Sequence, residues 1–249
     1  MSSSFRLVGW NIRAGGGKRA ELIGQTLASL NADVVVLSEF RSGPPSQLIG
    51  AALAGTGLSD QVSALKEVKP NTNAVMIAAR AGLSRIGLHA APKEPGRWVM
   101  AREGGWGIGI GAMHIPNQHT GRKPAYHDGV IDVARRWRGK RALLIGDTNS
   151  GRMDLDEEKP VFNRRTDAWF TRFEALGWQD GFRTLYPAKR EYTWYSHRNN
   201  GFRLDQVFVS PVLGAHLKEV RHIWPAHPEQ PGRRDGLSDH AMLVADFEF

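Results

Sequence analysis

Seven short apolar runs limit what this chain can fold into: "FRLVGWNI" (5–12), "DVVVLSE" (33–39), "NAVMIAAR" (73–80), "GIGIGAMHI" (107–115), "RALLIGD" (141–147), "RLDQVFVS" (203–210) and "AMLVADFEF" (241–249). Each is rich in Val, Ile, Leu or Phe and has the length of a strand. Amphipathic segments lie between them. Leu22, Ile23, Leu27 and Leu30 share one face of a helix over 18–30. Tyr126, Val130, Val133, Ala134 and Trp137 do so over 124–137, behind Pro124 at the first helical position. Trp169, Phe173 and Leu176 line a helix over 165–176 that Gly177 stops, and this aromatic stripe reads as core. Strands mixed with helices predict a layered α/β architecture, sheets inside and helices outside. No linker, repeat or low-complexity tract divides the chain, so residues 1–249 read as a single domain. Segments 40–60, 89–105, 116–123, 148–163 and 186–202 read as long polar loops.

Composition removes several chemistries. There is no Cys, which excludes disulfides, thiolate zinc sites and cysteine nucleophiles. That fits a reducing compartment, and with no leader visible in "MSSSFRLVGWNI" the expected location is the cytoplasm. No apolar run has the length of a membrane span, so no membrane partner is expected. The formal net charge is +8, and Arg outnumbers Lys. A basic surface attracts polyanions, nucleic acid first, and Arg suits bidentate phosphate contact.

Polar residues cluster where the apolar runs end. Asn11 follows "LVGW", Glu39 follows "VVVLS", His114 ends "GIGIGAM", and Asp147 and Asn149 end "ALLIG" in the stretch "LIGDTNSG". Asp239 and His240 immediately precede the last run. Taken singly, most of these have ordinary explanations as turn, cap or core residues. Asp205 resists one, because a carboxylate inside a buried strand costs several kcal/mol (order of magnitude) unless it is paired. A histidine from "SDH" would serve, and an Asp–His pair fixes a ring tautomer and holds an imidazolium over an anion. Glu39 and Asp239 then remain for a hard divalent ion such as Mg2+, which takes one or two carboxylates and keeps waters. The D-x-N turn would align a water for attack at phosphorus, with Asp147 taking its proton and Asn149 donating to water or phosphate.

In order along the chain, "WNI", "LSE", "MH", "GDTN", "LDQVFVS" and "SDH" resemble the signature of the endonuclease/exonuclease/phosphatase superfamily. Each motif alone is weak; six in this order, spread over residues 5–248, form a specific pattern. The resemblance implies a four-layer α/β sandwich, two packed mixed sheets flanked by helices, with the site at one edge. It implies a phosphoesterase dependent on Mg2+ or Mn2+. Carried over position by position, Asn11, Glu39 and Asp239 match the metal-site residues, and His114 the middle histidine. Asp147 and Asn149 match the D-x-N pair, Asp205 the residue that orients the final histidine, and His240 that histidine.

Finer features divide between branches. "NIRAG" and "SEFRSG" are similar to the deoxyribonuclease I type, which would put Arg13 and Arg41 on the substrate. Residues 177–206 are similar to the exonuclease III type, where Trp194 and Phe202 would stack on a nucleotide. His114 stands where that type has Tyr, and no acid lies near Asn73 to pair with it. The leading expectation is a 3′-5′ exodeoxyribonuclease with some endonuclease activity, acting as a monomer on single- or double-stranded DNA. The alternative is a phosphatase or phosphodiesterase acting on an inositol phosphate, sphingomyelin or another small or lipid phosphate.

Overall fold

The computed structural model describes residues 3–230 and 232–249. In chain order the strands are β1 (Ser4–Asn11), β2 (Val34–Phe40), β3 (Asp60–Ser63), β4 (Ala74–Ala79), β5 (Leu83–Arg85), β6 (Trp98–Glu103), β7 (Gly109–His114), β8 (Ala142–Asp147), β9 (Gln179–Asp180), β10 (Trp194–Tyr195), β11 (Gly201–Phe202), β12 (Asp205–Val209), β13 (Leu217–Ile223) and β14 (Met242–Glu248). The helices are α1 (Ala20–Ala28), α2 (Pro44–Gly55), α3 (Lys123–Trp137), α4 (Arg164–Ala175), α5 (Gly181–Leu185) and α6 (Pro211–Gly214). Two sheets of six strands form, ordered β13-β14-β1-β2-β4-β3 and β5-β6-β7-β8-β12-β9.

The side chains explain the layering. Along β1, Phe5 and Leu7 point into the space between the sheets, where they meet Val99, Ile110, Leu143, Ile145 and Val207 of the other sheet. Val8 and Trp10, on the opposite face, pack with Ile23, Leu27, Ile49 and Leu53 of α1 and α2. The second sheet turns Met113, Leu144 and Phe208 outward onto Tyr126, Val130, Trp169 and Phe173 of α3 and α4. Both faces of each sheet are therefore buried, which is why the strands read as continuous apolar runs. The result is the expected four-layer sandwich.

Topology brings the polar strand ends to one edge. β1 runs parallel to β2, and β7 runs parallel to β8, so Asn11, Glu39, His114 and Asp147 all lie at or near carboxyl ends on the same side. β12 is antiparallel to β8 and β14 to β1, so their amino ends, with Asp205 and the residues before Met242, arrive at that side too.

Three expected loops contain α-helices or strands, segment 186–202 holding the short pair β10 and β11. Segment 40–60 holds α2, which begins at Pro44–Pro45, where a missing N–H costs nothing. Segment 89–105 holds β6, central enough to pair with both β5 and β7. β13 also escaped the apolar pattern, because Lys218, Glu219 and Arg221 interrupt it. Among the described residues no helix is long and apolar enough to cross a membrane.

Candidate active site

At the edge, Asp147 is the centre of the polar cluster. The register sets it opposite His114 on one side and Asp205 on the other. Gly146 makes that register possible: its φ is 148°, and a Cβ there would lie 1.8 Å from the Met113 carbonyl oxygen. Asp147 Oδ1 accepts the Asn149 N–H at 3.0 Å, and Oδ2 accepts Asn11 Nδ2 at 3.1 Å, a bond that links the two sheets. His114 Nε2 and His240 Nε2 stand 3.6 and 3.8 Å from the same oxygen. Burial pushes the Asp147 carboxyl up to about 6; the charge on Asp205 adds to this, while His240 and the two hydrogen bonds oppose it.

Asp205 finds the partner its burial demands. Its Oδ2 lies 2.9 Å from His240 Nδ1. Burial alone would lower the imidazole, but the carboxylates of Asp205 and Asp147 outweigh it and raise His240 to about 10, so the ring is an imidazolium. The backbone around the pair is tied down. Thr193 Oγ1 accepts the N–H groups of Leu204 and Asp205, and its carbonyl accepts the Ala241 N–H at 2.7 Å. Ser238 Oγ donates to the Asn11 carbonyl and accepts the His240 N–H, and Trp10 Nε1 donates to the His240 carbonyl.

His114 is different in kind. Burial, reinforced by the cations of Arg97 and His240, lowers its ring to about 3, so it is neutral. Its Nδ1 is buried and has no hydrogen-bond partner among the described residues. Asn73, near which the sequence offers no acid, accepts a hydrogen bond from Arg41 Nε at 2.6 Å.

Around this centre the backbone is strained. Among the described residues, positive φ outside Gly, Asn and Asp occurs only at Arg13, Ala14 and Glu39. Such conformations cost of order 1–3 kcal/mol each and collect at functional sites. A register shift in β2 between Leu37 and Phe40 turns Glu39 so that Oε2 accepts the Ala14 N–H at 2.7 Å. Asn11 Oδ1 accepts the Arg13 N–H, and Arg13 Nε stands 4.0 Å from Asp239 Oδ2. Glu39, Asp239 and Asn11 thus border one turn, 11–14. No three His, Asp or Glu side chains among the described residues gather into a cage that could hold a metal by themselves. Two partly exposed carboxylates and an amide oxygen nevertheless fit a hard divalent ion that keeps much of its water.

Residues 8–240 match the Endonuclease/Exonuclease/phosphatase family. The chain belongs to that family. Over 95 residues it is 32% identical to an exodeoxyribonuclease of Bacillus subtilis (strain 168), covering 32% of this chain and 38% of that protein. Over 127 residues it is 29% identical to exodeoxyribonuclease III of Haemophilus influenzae, covering 43% and 45%. The matched stretches span less than half the length of either relative. In fold it is similar to a 3′ phosphatase from Neisseria solved with a product DNA hairpin, at TM-score 0.77 and 24% identity over 98% of this chain and 100% of that one.

Other expected residues fall differently within this family's frame. Asn149 adopts φ 46°, and its Nδ2 already donates to the Ile115 carbonyl, leaving one amide hydrogen free. Trp194 is half-buried, its ring 6.3 Å from that of His240, so it borders the site. Phe202 is not a stacking surface: it is 7% exposed, packed edge-on to Phe162 and tilted against Trp194, and it backs the tryptophan. Arg41 lines a cleft of about 630 Å³ with Arg97, Arg122, Lys69, Glu67 and Glu94. Sequence reasoning missed Thr193, Ser238 and Lys123. Ser238 stood in view within "SDH", but nothing in the pattern around Thr193 or Lys123 marks them.

Proposed function

We propose that the chain is a divalent-metal-dependent phosphodiesterase acting on DNA, a 3′-5′ exodeoxyribonuclease that also has endonuclease activity. The observation that carries the chemistry is the buried Asp147 carboxylate held beside an imidazolium. One group is poised to take a proton near neutral pH, and the other carries fixed positive charge. A water seated on Asp147 Oδ2 gives it a proton as the water oxygen bonds to phosphorus, and the bond to the leaving oxygen breaks on the far side. The free N–H of Asn149 orients that water or a phosphate oxygen. His240, fixed by Asp205, faces the charge that builds on the phosphate, where a preorganised cation is most effective. His114, neutral and buried with Nε2 3.6 Å from Asp147 Oδ2, would donate a hydrogen bond to a water or phosphate oxygen that enters the site and would carry no proton across the reaction.

Asn11, Glu39 and Asp239 would hold Mg2+ or Mn2+, which when bound supplies charge neutralisation at the attacked phosphate. The choice of DNA is supported by the similarity to exodeoxyribonucleases, the net charge of +8 and the cleft lined by Arg41, Arg97 and Arg122. Arg13 and Arg41 would contact the strand, and Trp194 would stack on the terminal nucleotide.

The test is a gel assay on 5′-labelled duplex DNA, intact or with one abasic site, in Mg2+ and in EDTA. A ladder shortening from the 3′ end and abolished by EDTA is expected. DNA left intact in both Mg2+ and Mn2+ overturns the reading in favour of a small or lipid phosphate.

A further inference from the structure

Two clefts reach the start of α3. Arg122 lines the first, already described, and Lys123 lines the second. The second is a cavity of about 320 Å³ between the amino ends of α3 and α4, bordered also by Gln118, His127, Asn163, Arg165 and Thr166. No carboxylate lines it, whereas Glu67 and Glu94 stand in the first.

Lys123 is only 8% exposed. Its ammonium donates to the Asn149 carbonyl and, among the described residues, makes no ion pair, although it has three donors. A buried ammonium with no carboxylate in contact is costly, and here burial lowers its pKa to about 8 against the more distant attraction of the Asp147 carboxylate. Arg165 is exposed and has no hydrogen-bond or ion-pair partner among the described residues. His127 stacks on Trp169 at 4.2 Å with its Nε2 3.1 Å from Ser150 Oγ, and burial, reinforced by the Lys123 cation, lowers its ring to about 3 and keeps it neutral. Among the described residues the cavity is therefore lined by cations and by no carboxylate, and it lies one residue from the base: Lys123 holds the Asn149 carbonyl, and the Asn149 N–H holds Asp147.

We propose that this cavity is a second anion subsite, which seats the phosphate next to the scissile one in a nucleic acid strand, and that Lys123 joins it to the catalytic turn. This rests on the phosphodiesterase reading of the Asp147 centre. An anion in the cavity engages the free donors of Lys123 and Arg165 and offsets the cost of the buried ammonium. Because Lys123 keeps its bond to Asn149, seating the strand also steadies Asp147.

The experiment compares wild type, Arg165→Gln and Lys123→Met on a short oligonucleotide and on bis(p-nitrophenyl) phosphate, which has a single phosphate. Two further oligonucleotides carry one neutral methylphosphonate, on one side or the other of the scissile position. Arg165→Gln is expected to raise KM for the oligonucleotide about tenfold with little change in kcat, and to reduce the salt slope of binding by about one. One of the two methylphosphonates should erase that difference. Lys123→Met should change kcat as well as KM, with Lys123→Arg restoring KM first. An unchanged salt slope, or an Arg165 effect that persists with both methylphosphonates, overturns the subsite. If bis(p-nitrophenyl) phosphate is cleaved and no oligonucleotide binds, the DNA reading has failed. The subsite is then tested with an inositol polyphosphate, whose inhibition Arg165→Gln should weaken about tenfold; an inhibition constant equal to wild type overturns it.

Discussion

Asp147 carries a proton affinity that its surroundings raise, and its two oxygens are each committed to one hydrogen bond. Asp147→Asn preserves the shape and removes the acceptor for a proton. Loss of a general base costs about 10²- to 10⁴-fold in rate. The expected outcome is a kcat lower by that factor with oligonucleotide affinity within about threefold of wild type, measured by stopped assay and anisotropy. A variant as fast as wild type removes Asp147 from the mechanism. The same scale shows what the sequence makes legible. Asp205 stands out because a charge in an apolar run demands a partner, and the structure supplies one in His240. Lys123 does not, because a lysine at a helix start normally reaches solvent. Phe202 was misjudged because residue type does not say which ring of an aromatic pair faces out.

At the scale of elements, strand order brings residues far apart in sequence to one edge, and β7 beside β8 is the decisive pairing. Met113 and Gly146 pair in register there, and a side chain at 146 would drive into the Met113 carbonyl. Gly146→Ala combines that clash with a φ that L residues rarely adopt. Overpacking alone costs about 1–3 kcal/mol. The variant should melt well below wild type and lose activity beyond what its folded fraction explains, because Asp147 moves relative to His114. Circular dichroism melts paired with rates per folded molecule check this. Element identity was legible where the period was clear, as in α1, α3 and α4. It failed for α2, where two prolines signal a loop although they sit harmlessly at a helix start. It failed for β6, whose buried residues Trp98 to Ala101 are closely flanked by glycines, a proline and charges.

Across the whole molecule, a buried ion network holds the 148–163 segment to the second sheet. Arg203 is fully buried and bonds both oxygens of Asp156, at 2.8 and 3.0 Å, and Asp180 at 2.5 Å, while Arg183 also pairs with Asp156. Asp180 in turn caps α5. The network fixes the loop that leaves the catalytic turn, so its loss reaches the site from a distance. Sequence patterning gives no hint of it, since "NGFRLDQ" reads as a basic loop entering a strand. Although burial opposes ionisation, the guanidinium groups of Arg203 and Arg183 hold the Asp156 carboxyl below its ordinary value of 3.8. A depressed carboxylate stabilises the fold above its unfolded value, and that contribution is lost as pH falls through the folded value. Arg203→Met leaves Asp156 buried with one cation fewer. Breaking a buried pair costs about 3–5 kcal/mol, and the remaining Arg183 places this case near 3. In the variant the carboxyl takes up a proton more readily, and protonation relieves the penalty. The stability gap to wild type, read by urea unfolding, should therefore be full at pH 7 and narrow below about pH 4. A gap that stays constant with pH would mean that lost packing around Arg203, and not uncompensated charge, sets its size.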